Sequence, residues 1–303
     1  MTIFDLRKKI IEALQKTSPT PQLDCDVLLS YFLKKERTWI FAHREFLVPE
    51  QTCNELKAAV QKRLTGLPIA YITGKKEFYG YEFFVTKDVL IPKPDTENLV
   101  DLALNVLAQK MALHPQKIPM ICDMCTGSGC VALSILKTLQ QGDGILDCDL
   151  PKITCVDISS NALEVAKKNA FHLSLEQSVR FVQSNLFEQI PYEFDLIVTN
   201  PPYVPHNEAV SLLKDGRSEP LLALDGDVDQ KGDFSGSDDG LFLIRRLIEQ
   251  SKNHLIPGGM LLMETGEYNA QGAAEILIKN GFSQVSIKKD MSGMFRNVSG
   301  IFR

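Results

Sequence analysis

From Ile118 onward, short apolar runs alternate with stretches of helical spacing, and no other feature of the chain narrows its fold so far. Residues 119–123, 153–157, 179–182, 194–199 and 259–264 read as strands, and 131–139, 161–173, 241–254 and 270–279 as helices. Residues 285–287 and 298–302 read as a closing antiparallel pair. Alternation of this kind predicts a doubly wound α/β sheet. Its ligand belongs at the carboxyl ends of the strands, near the switch in strand order.

Two stretches fall at such strand ends. Asn200-Pro201-Pro202-Tyr203 follows the apolar run 194–199. Two prolines donate no backbone hydrogen bond and fix their own φ, so the strand must stop there. The tetrapeptide is either an ordinary strand-ending turn or a grip for a small planar group bearing an NH2. In the second case the Asn200 oxygen and a backbone carbonyl beside the prolines each accept one hydrogen, and Tyr203 stacks on the plane.

The other stretch is Asp123-Met124-Cys125-Thr126-Gly127-Ser128-Gly129-Cys130-Val131-Ala132. Gly127 and Gly129 let the backbone approach a ligand, and the helix that follows aims free N–H groups at it. The pattern also fits the G-x-G-x-x-A of a dinucleotide fold. Asp157 ends the next strand, where a carboxylate can accept from both ribose hydroxyls. Nicotinamide and S-adenosylmethionine sites share that arrangement.

Pairing an adenosine site with Asn-Pro-Pro-Tyr suits methyl transfer to an amine or amide. A sulfonium is a good leaving group; the difficulty is the delocalised lone pair of an amide nitrogen. Holding both its hydrogens and aiming it at the methyl can supply as much as about 7–11 kcal/mol through orientation. The proton becomes acidic once the nitrogen is alkylated, so no strong base is needed, and His206 reads as a loop residue.

The rest of the chain sets bounds. Its 303 residues suffice for one large or two ordinary domains. Residues 1–66 read as a helical bundle, with Ile3, Leu6, Ile10 and Leu14 at helical spacing after a Thr2 cap and Leu23, Val27, Leu28 and Tyr31 on a second helix. Residues 67–92, including Tyr71-Ile72 and the aromatic stretch 77–85, read as a linking hairpin whose rings pack in a core rather than stack on bases. A helix capped by Asp95 or Thr96 then opens a domain over 93–303. A net charge of −5 argues against a duplex nucleic-acid partner. No apolar run approaches the roughly 18 residues of a membrane span, and Met1-Thr2-Ile3-Phe4-Asp5 does not open a signal peptide. A cytoplasmic protein is expected.

Cys25, Cys53, Cys122, Cys125, Cys130, Cys148 and Cys155 are odd in number, so no disulfide framework is expected. Cys122, Cys125 and Cys130 lack a nearby His and a second Cys-x-x-Cys, so buried thiols are expected there, and no metal. Residues 206–239 read as a long, Gly- and Asp-rich loop. Within it, Asp225-x-Asp227-x-Asp229 opens like a calcium loop, but Gln230 and Gly236 stand where Gly and Glu are required.

The chain resembles a known family, the class I S-adenosylmethionine methyltransferases that act on the glutamine of peptide chain release factors (HemK/PrmC type). The landmarks run in order: Leu23-Asp24-Cys25-Asp26-Val27-Leu28-Leu29, Arg37-Thr38-Trp39, Pro68-Ile69-Ala70-Tyr71-Ile72-Thr73-Gly74, Phe78-Tyr79-Gly80, Ile91-Pro92-Lys93-Pro94-Asp95-Thr96-Glu97, the glycine loop, Asn200 to Tyr203, and Glu219-Pro220. The resemblance implies a Rossmann-like seven-stranded methyltransferase sheet, a linking hairpin and a small helical domain that docks the release factor. It implies that Cys125, Thr126, Gly127, Ser128, Gly129, Asp157, Asn185, Leu186 and Asn200 surround S-adenosylmethionine. Asn200 and the Pro201 carbonyl would hold the glutamine of the GGQ motif, with Pro202 and Tyr203 close by. A monomer is expected.

Three departures stand out. Lys93 replaces the usual Arg, and Asn185 the commoner Asp. The Asp-Gly-Leu turn is split between Asp225-Gly226 and Asp239-Gly240-Leu241. The rival readings are an adenine-amino methyltransferase, which would want a basic cleft for a flipped base, a glutamine methyltransferase for a ribosomal protein, and a cofactor-binding protein that docks without turnover.

Overall fold

The computed structural model describes residues 1–142, 150–214, 219–290 and 292–303. Cys148 and part of the 206–239 stretch lie outside them. The chain divides into two compact units, one holding Met1–Lys75 and a short stretch starting at Leu212, the other Lys76–Ser211 and Glu219–Arg303.

The first unit is helical: α1 (Ile3–Leu14), α2 (Pro21–Leu33), α3 (Arg37–Ala42), α4 (Glu50–Leu64) and α5 (Ile69–Thr73). Thr2 and Asp5 form a reciprocal capping box at the start of α1. Ile3, Leu6, Leu14, Leu28, Ile40 and Leu56 make its core. On α2 the inward face differs from the expected one, for Leu23 and Tyr31 are exposed while Asp24 and Asp26 are buried. Each of these aspartates is neutralised, by Arg63 and Arg7 respectively, both at 2.7 Å. A charge that finds its partner can take an inward position that hydropathy alone assigns elsewhere. Tyr71 and Ile72 lie in α5, not in a hairpin strand. Pro68 starts that turn and Gly74, at φ +70°, ends it; the apolar run is too short for its period to show.

In the second unit, β1 (Lys75–Phe78) and β2 (Tyr81–Phe84) form the hairpin. Phe78 and Phe83 are buried in the core. A single 3-10 turn, Pro94–Thr96, leads into α6 (Glu97–Leu113). Thr96 occupies the N-cap position of that helix, but its hydroxyl makes no capping bond and is used elsewhere.

Then follow β3 (Met120–Met124), α7 (Cys130–Gln141), β4 (Lys152–Asp157), α8 (Ser160–His172), β5 (Val179–Gln183), β6 (Phe194–Thr199), α9 (His206–Lys214), α10 (Phe242–Ser251), β7 (Leu255–Glu264), α11 (Ala270–Lys279), β8 (Ser283–Lys289) and β9 (Phe295–Ile301). The seven-stranded sheet runs β5-β4-β3-β6-β7-β9-β8, parallel except for β9, which lies antiparallel to β7 and β8. Every residue of β6 is buried, as a central strand covered on both faces requires. Strand order reverses between β3 and β6, so a crevice opens where the glycine loop and Asn200 emerge side by side. His206 begins α9 rather than lying in a loop. Among the described residues, no helix is long and apolar enough to cross a membrane.

Candidate active site

One cleft lies at the carboxyl ends of β3, β4, β5 and β6. Cys125, Thr126, Gly127 and Ser128 line it beneath β3, Asp157 at the end of β4, Asn185 and Leu186 after β5, and Asn200 and Pro202 after β6. Gly129, Pro201 and Tyr203 are not among its lining residues.

The loop after β3 is held by side chains that sequence reasoning passed over. Asp123 accepts hydrogen bonds from the Thr126 hydroxyl (2.6 Å) and the Ala132 N–H (3.3 Å), curling the chain back onto α7. Burial pushes its carboxyl up to about 7, against the pull of those two donors. Asn169 of α8, fully buried, donates to the carbonyls of Ser128 (2.8 Å) and Phe84 (3.0 Å) and accepts from the Phe84 N–H (2.7 Å). An acidic residue inside an apolar strand and an Asn on the inner face of a helix were the signals available.

Gly129 stands at φ +79° at the start of α7, where an added Cβ would meet Leu133 at 3.1 Å and Ala166 at 3.3 Å. It packs rather than lines. Asp157 accepts from the N–H groups of Gly127 and Ser159, both at 2.9 Å. Burial raises its pKa while these donors lower it. The Cys125 thiol is pushed far up by burial, which removes it as a nucleophile.

At β6 the Asn200 Nδ2 donates to Thr96 Oγ1 at 3.0 Å. The Thr96 hydroxyl gives its proton to the Glu264 carboxylate and so accepts from Asn200, which orients the amide and leaves Oδ1 as the acceptor. Tyr203 is held at both its hydroxyl and its carbonyl. Its hydroxyl donates to Glu264 Oε1 at 3.1 Å, and its carbonyl accepts from Asn269 Nδ2 at 2.9 Å. The Pro-Pro-Tyr turn is thereby anchored from behind.

Burial raises the Glu264 carboxyl to about 7, and the hydroxyls of Thr96 and Tyr203 draw it down. A carboxyl raised in the folded state from 4.5 lends stability that is complete below about pH 4.5 and is lost as pH rises through about 7. Asp123 acts with the same sign. Glu264→Gln, which cannot ionise, should therefore make the fall in Tm between about pH 5 and 7 shallower. Melting curves across that range test it; an unchanged slope would mean that Glu264 does not carry the dependence.

Lys93 reaches Glu219 at 2.7 Å, and the same carboxylate oxygen accepts the Ile91 N–H at 3.2 Å. The ammonium makes one point contact where an Arg could make two. The aspartates of the calcium-like stretch serve the backbone: Asp225 accepts from the Asp227 N–H at 2.9 Å and pairs with His206 Nδ1 at 2.6 Å, and Asp227 accepts from the Gly240 N–H at 2.7 Å.

Switch-point crevice, glycine loop and acidic strand end define the second unit as a Rossmann-like domain with room for an adenosine cofactor. The Methyltransferase small domain family matches residues 96–215. The hMettl16 catalytic domain, solved in complex with MAT2A 3'UTR hairpin 6, has the same fold, with a TM-score of 0.54 at 14% identity over 84% of this chain and 82% of that one. Upstream, the PrmC N-terminal domain family matches residues 5–74. Release factor glutamine methyltransferase of Clostridium acetobutylicum is 36% identical over 99% of both chains. That of Escherichia coli K12 is 33% identical over 93% of this chain and 92% of its own. This chain belongs to the release factor glutamine methyltransferase family.

Proposed function

We propose that this enzyme methylates the side-chain amide of the glutamine in the GGQ motif of peptide chain release factors, with S-adenosylmethionine as donor. The observation that carries the reading is the fixed amide of Asn200 at the switch point, its nitrogen committed to Thr96 and its oxygen left to accept.

The donor set of the cleft fits the cofactor. Asp157 offers carboxylate oxygens for a ribose diol, the glycine loop offers main-chain groups for the amino-acid end, and Ile158 and Leu186 offer apolar surface for a purine. When bound, the cofactor supplies a methyl group on a sulfonium. The chain's own residues do the rest. Asn200 Oδ1 accepts one amide hydrogen and the Pro201 carbonyl accepts the other, which turns the nitrogen toward the methyl. The Pro201-Pro202 pair keeps that carbonyl in place because neither ring can rotate about its N–Cα bond. Tyr203, tied to Glu264, braces the turn. Proton loss follows alkylation and needs no dedicated base.

The helical unit is assigned to docking the factor, and the chain to acting as a monomer in the cytoplasm, where translation ends. The test is incubation with methyl-labelled S-adenosylmethionine, release factor and nucleic acid together. Label is expected in the factor; label in nucleic acid alone would return the adenine-amino reading.

A further inference from the structure

One wall of the cleft comes from the stretch that splits the Asp-Gly-Leu turn. There the chain folds back on itself: Val228 bridges Phe234, the Asp229 N–H donates to the Asp233 carbonyl (2.9 Å), and the Gly232 N–H to the Asp229 carbonyl (3.0 Å). Its base is fixed by Asp227, fully buried, whose carboxylate accepts the N–H groups of Gly240 (2.7 Å) and Phe242 (3.3 Å). The ring of Phe234 stacks on His206 at 4.5 Å. Gln230 stands on this hairpin and lines the cleft opposite Asn185.

The two amides lock each other. Asn185 Nδ2 donates to Glu188 Oε1 at 2.5 Å and to Gln230 Oε1 at 2.9 Å. A carboxylate only accepts, so Glu188 decides which end of Asn185 faces it, and Asn185 in turn decides the orientation of Gln230. Both Nδ2 hydrogens are spent. What remains is an acceptor, Asn185 Oδ1, beside a donor, Gln230 Nε2. Adenine presents the complement on one edge, a donor at N6 and an acceptor at N1. Strand order puts the pair in the right place: a ligand laid across the strand ends from Asn200 past the glycine loop and Asp157 ends after β5, at Asn185.

We propose that Gln230, paired with Asn185, reads the N1–N6 edge of the cofactor's adenine, so that the inserted hairpin is a cofactor-specificity element. This rests on the cleft being the S-adenosylmethionine site. The test is calorimetric binding of S-adenosylhomocysteine and of S-inosylhomocysteine, whose base carries an oxygen at C6 and a hydrogen on N1. Gln230→Met keeps the length of an exposed side chain but removes its donor. It should weaken the adenosyl ligand by about 3–10-fold, the worth of one hydrogen bond, and leave the inosyl ligand nearly unchanged. Equal losses on both ligands would make Gln230 a mere wall, and no loss on either would mean no contact; both overturn the proposal. Failure of the unaltered enzyme to bind S-adenosylhomocysteine would instead overturn the cofactor reading beneath it.

Discussion

Asn200→Ala should lower turnover by about 10²–10³, the loss typical of one preorganised polar contact to the reacting group. The oxygen that accepts the amide hydrogen disappears, and Thr96 loses the donor it receives at 3.0 Å. Cofactor affinity should change much less, because the glycine loop, Asp157 and the residues after β5 are untouched. Single-turnover rates and S-adenosylhomocysteine binding, measured on the same preparation, separate the two effects. Near-normal turnover would mean that Asn200 does not position the amide. An equal loss of binding and turnover would make it a cofactor contact.

The second large effect belongs to a glycine outside the cleft. Gly240 sits at φ +69°, and a Cβ there would lie 2.0 Å from the Tyr203 carbonyl oxygen and 2.9 Å from Asn269 Nδ2. Gly226 is as crowded, with 2.5 Å to the Gly240 carbonyl oxygen and 2.9 Å to that of Pro202. All of these obstacles but Asn269 are main chain, so they cannot swing aside as a flexible side chain would. The two halves of the split Asp-Gly-Leu turn therefore press directly on the Pro-Pro-Tyr turn. Gly240→Ala should cost about 1–3 kcal/mol through overpacking, plus about 1–2 kcal/mol for the left-handed backbone. At this chain length that lowers Tm by about 3–8 °C. Turnover should fall by about 10², because a displacement of about 1 Å in the turn misaligns the amide. Wild-type melting and wild-type turnover together would show that the turn is not braced from this side.

Much of this was legible in the sequence, for a physical reason. Buried parallel strands are continuous apolar runs, so 194–199 could be read as β6 and Asn200 placed at its end. The helix 270–279 was readable because its small and apolar residues keep one helical face. The glycine loop showed itself because close backbone approach needs residues without a Cβ.

What the sequence hid lies in pairings that hydropathy does not encode. Thr96 and Asn200 are 104 positions apart, and nothing local in either marks the other. Asp24 and Asp26 look like solvent-facing residues until Arg63 and Arg7 arrive from distant helices. Tyr203 suggested a stacking ring, and its tie to Glu264 depends on β7 lying beside β6. The 206–239 stretch read as loop because α9 is only nine residues long and the hairpin at Gln230 is held by carboxylates accepting from backbone N–H groups, which leaves no apolar period. Those same carboxylates give the stretch its calcium-like opening.

The most direct measurement is mass spectrometry of a release factor incubated with the enzyme and S-adenosylmethionine, with fragmentation to locate the added group. The account predicts one added methyl on the side-chain nitrogen of the GGQ glutamine, and none when Asn200→Ala replaces the wild type over the same time. A methyl group on any other residue, or on nucleic acid with the factor unmodified, would contradict it.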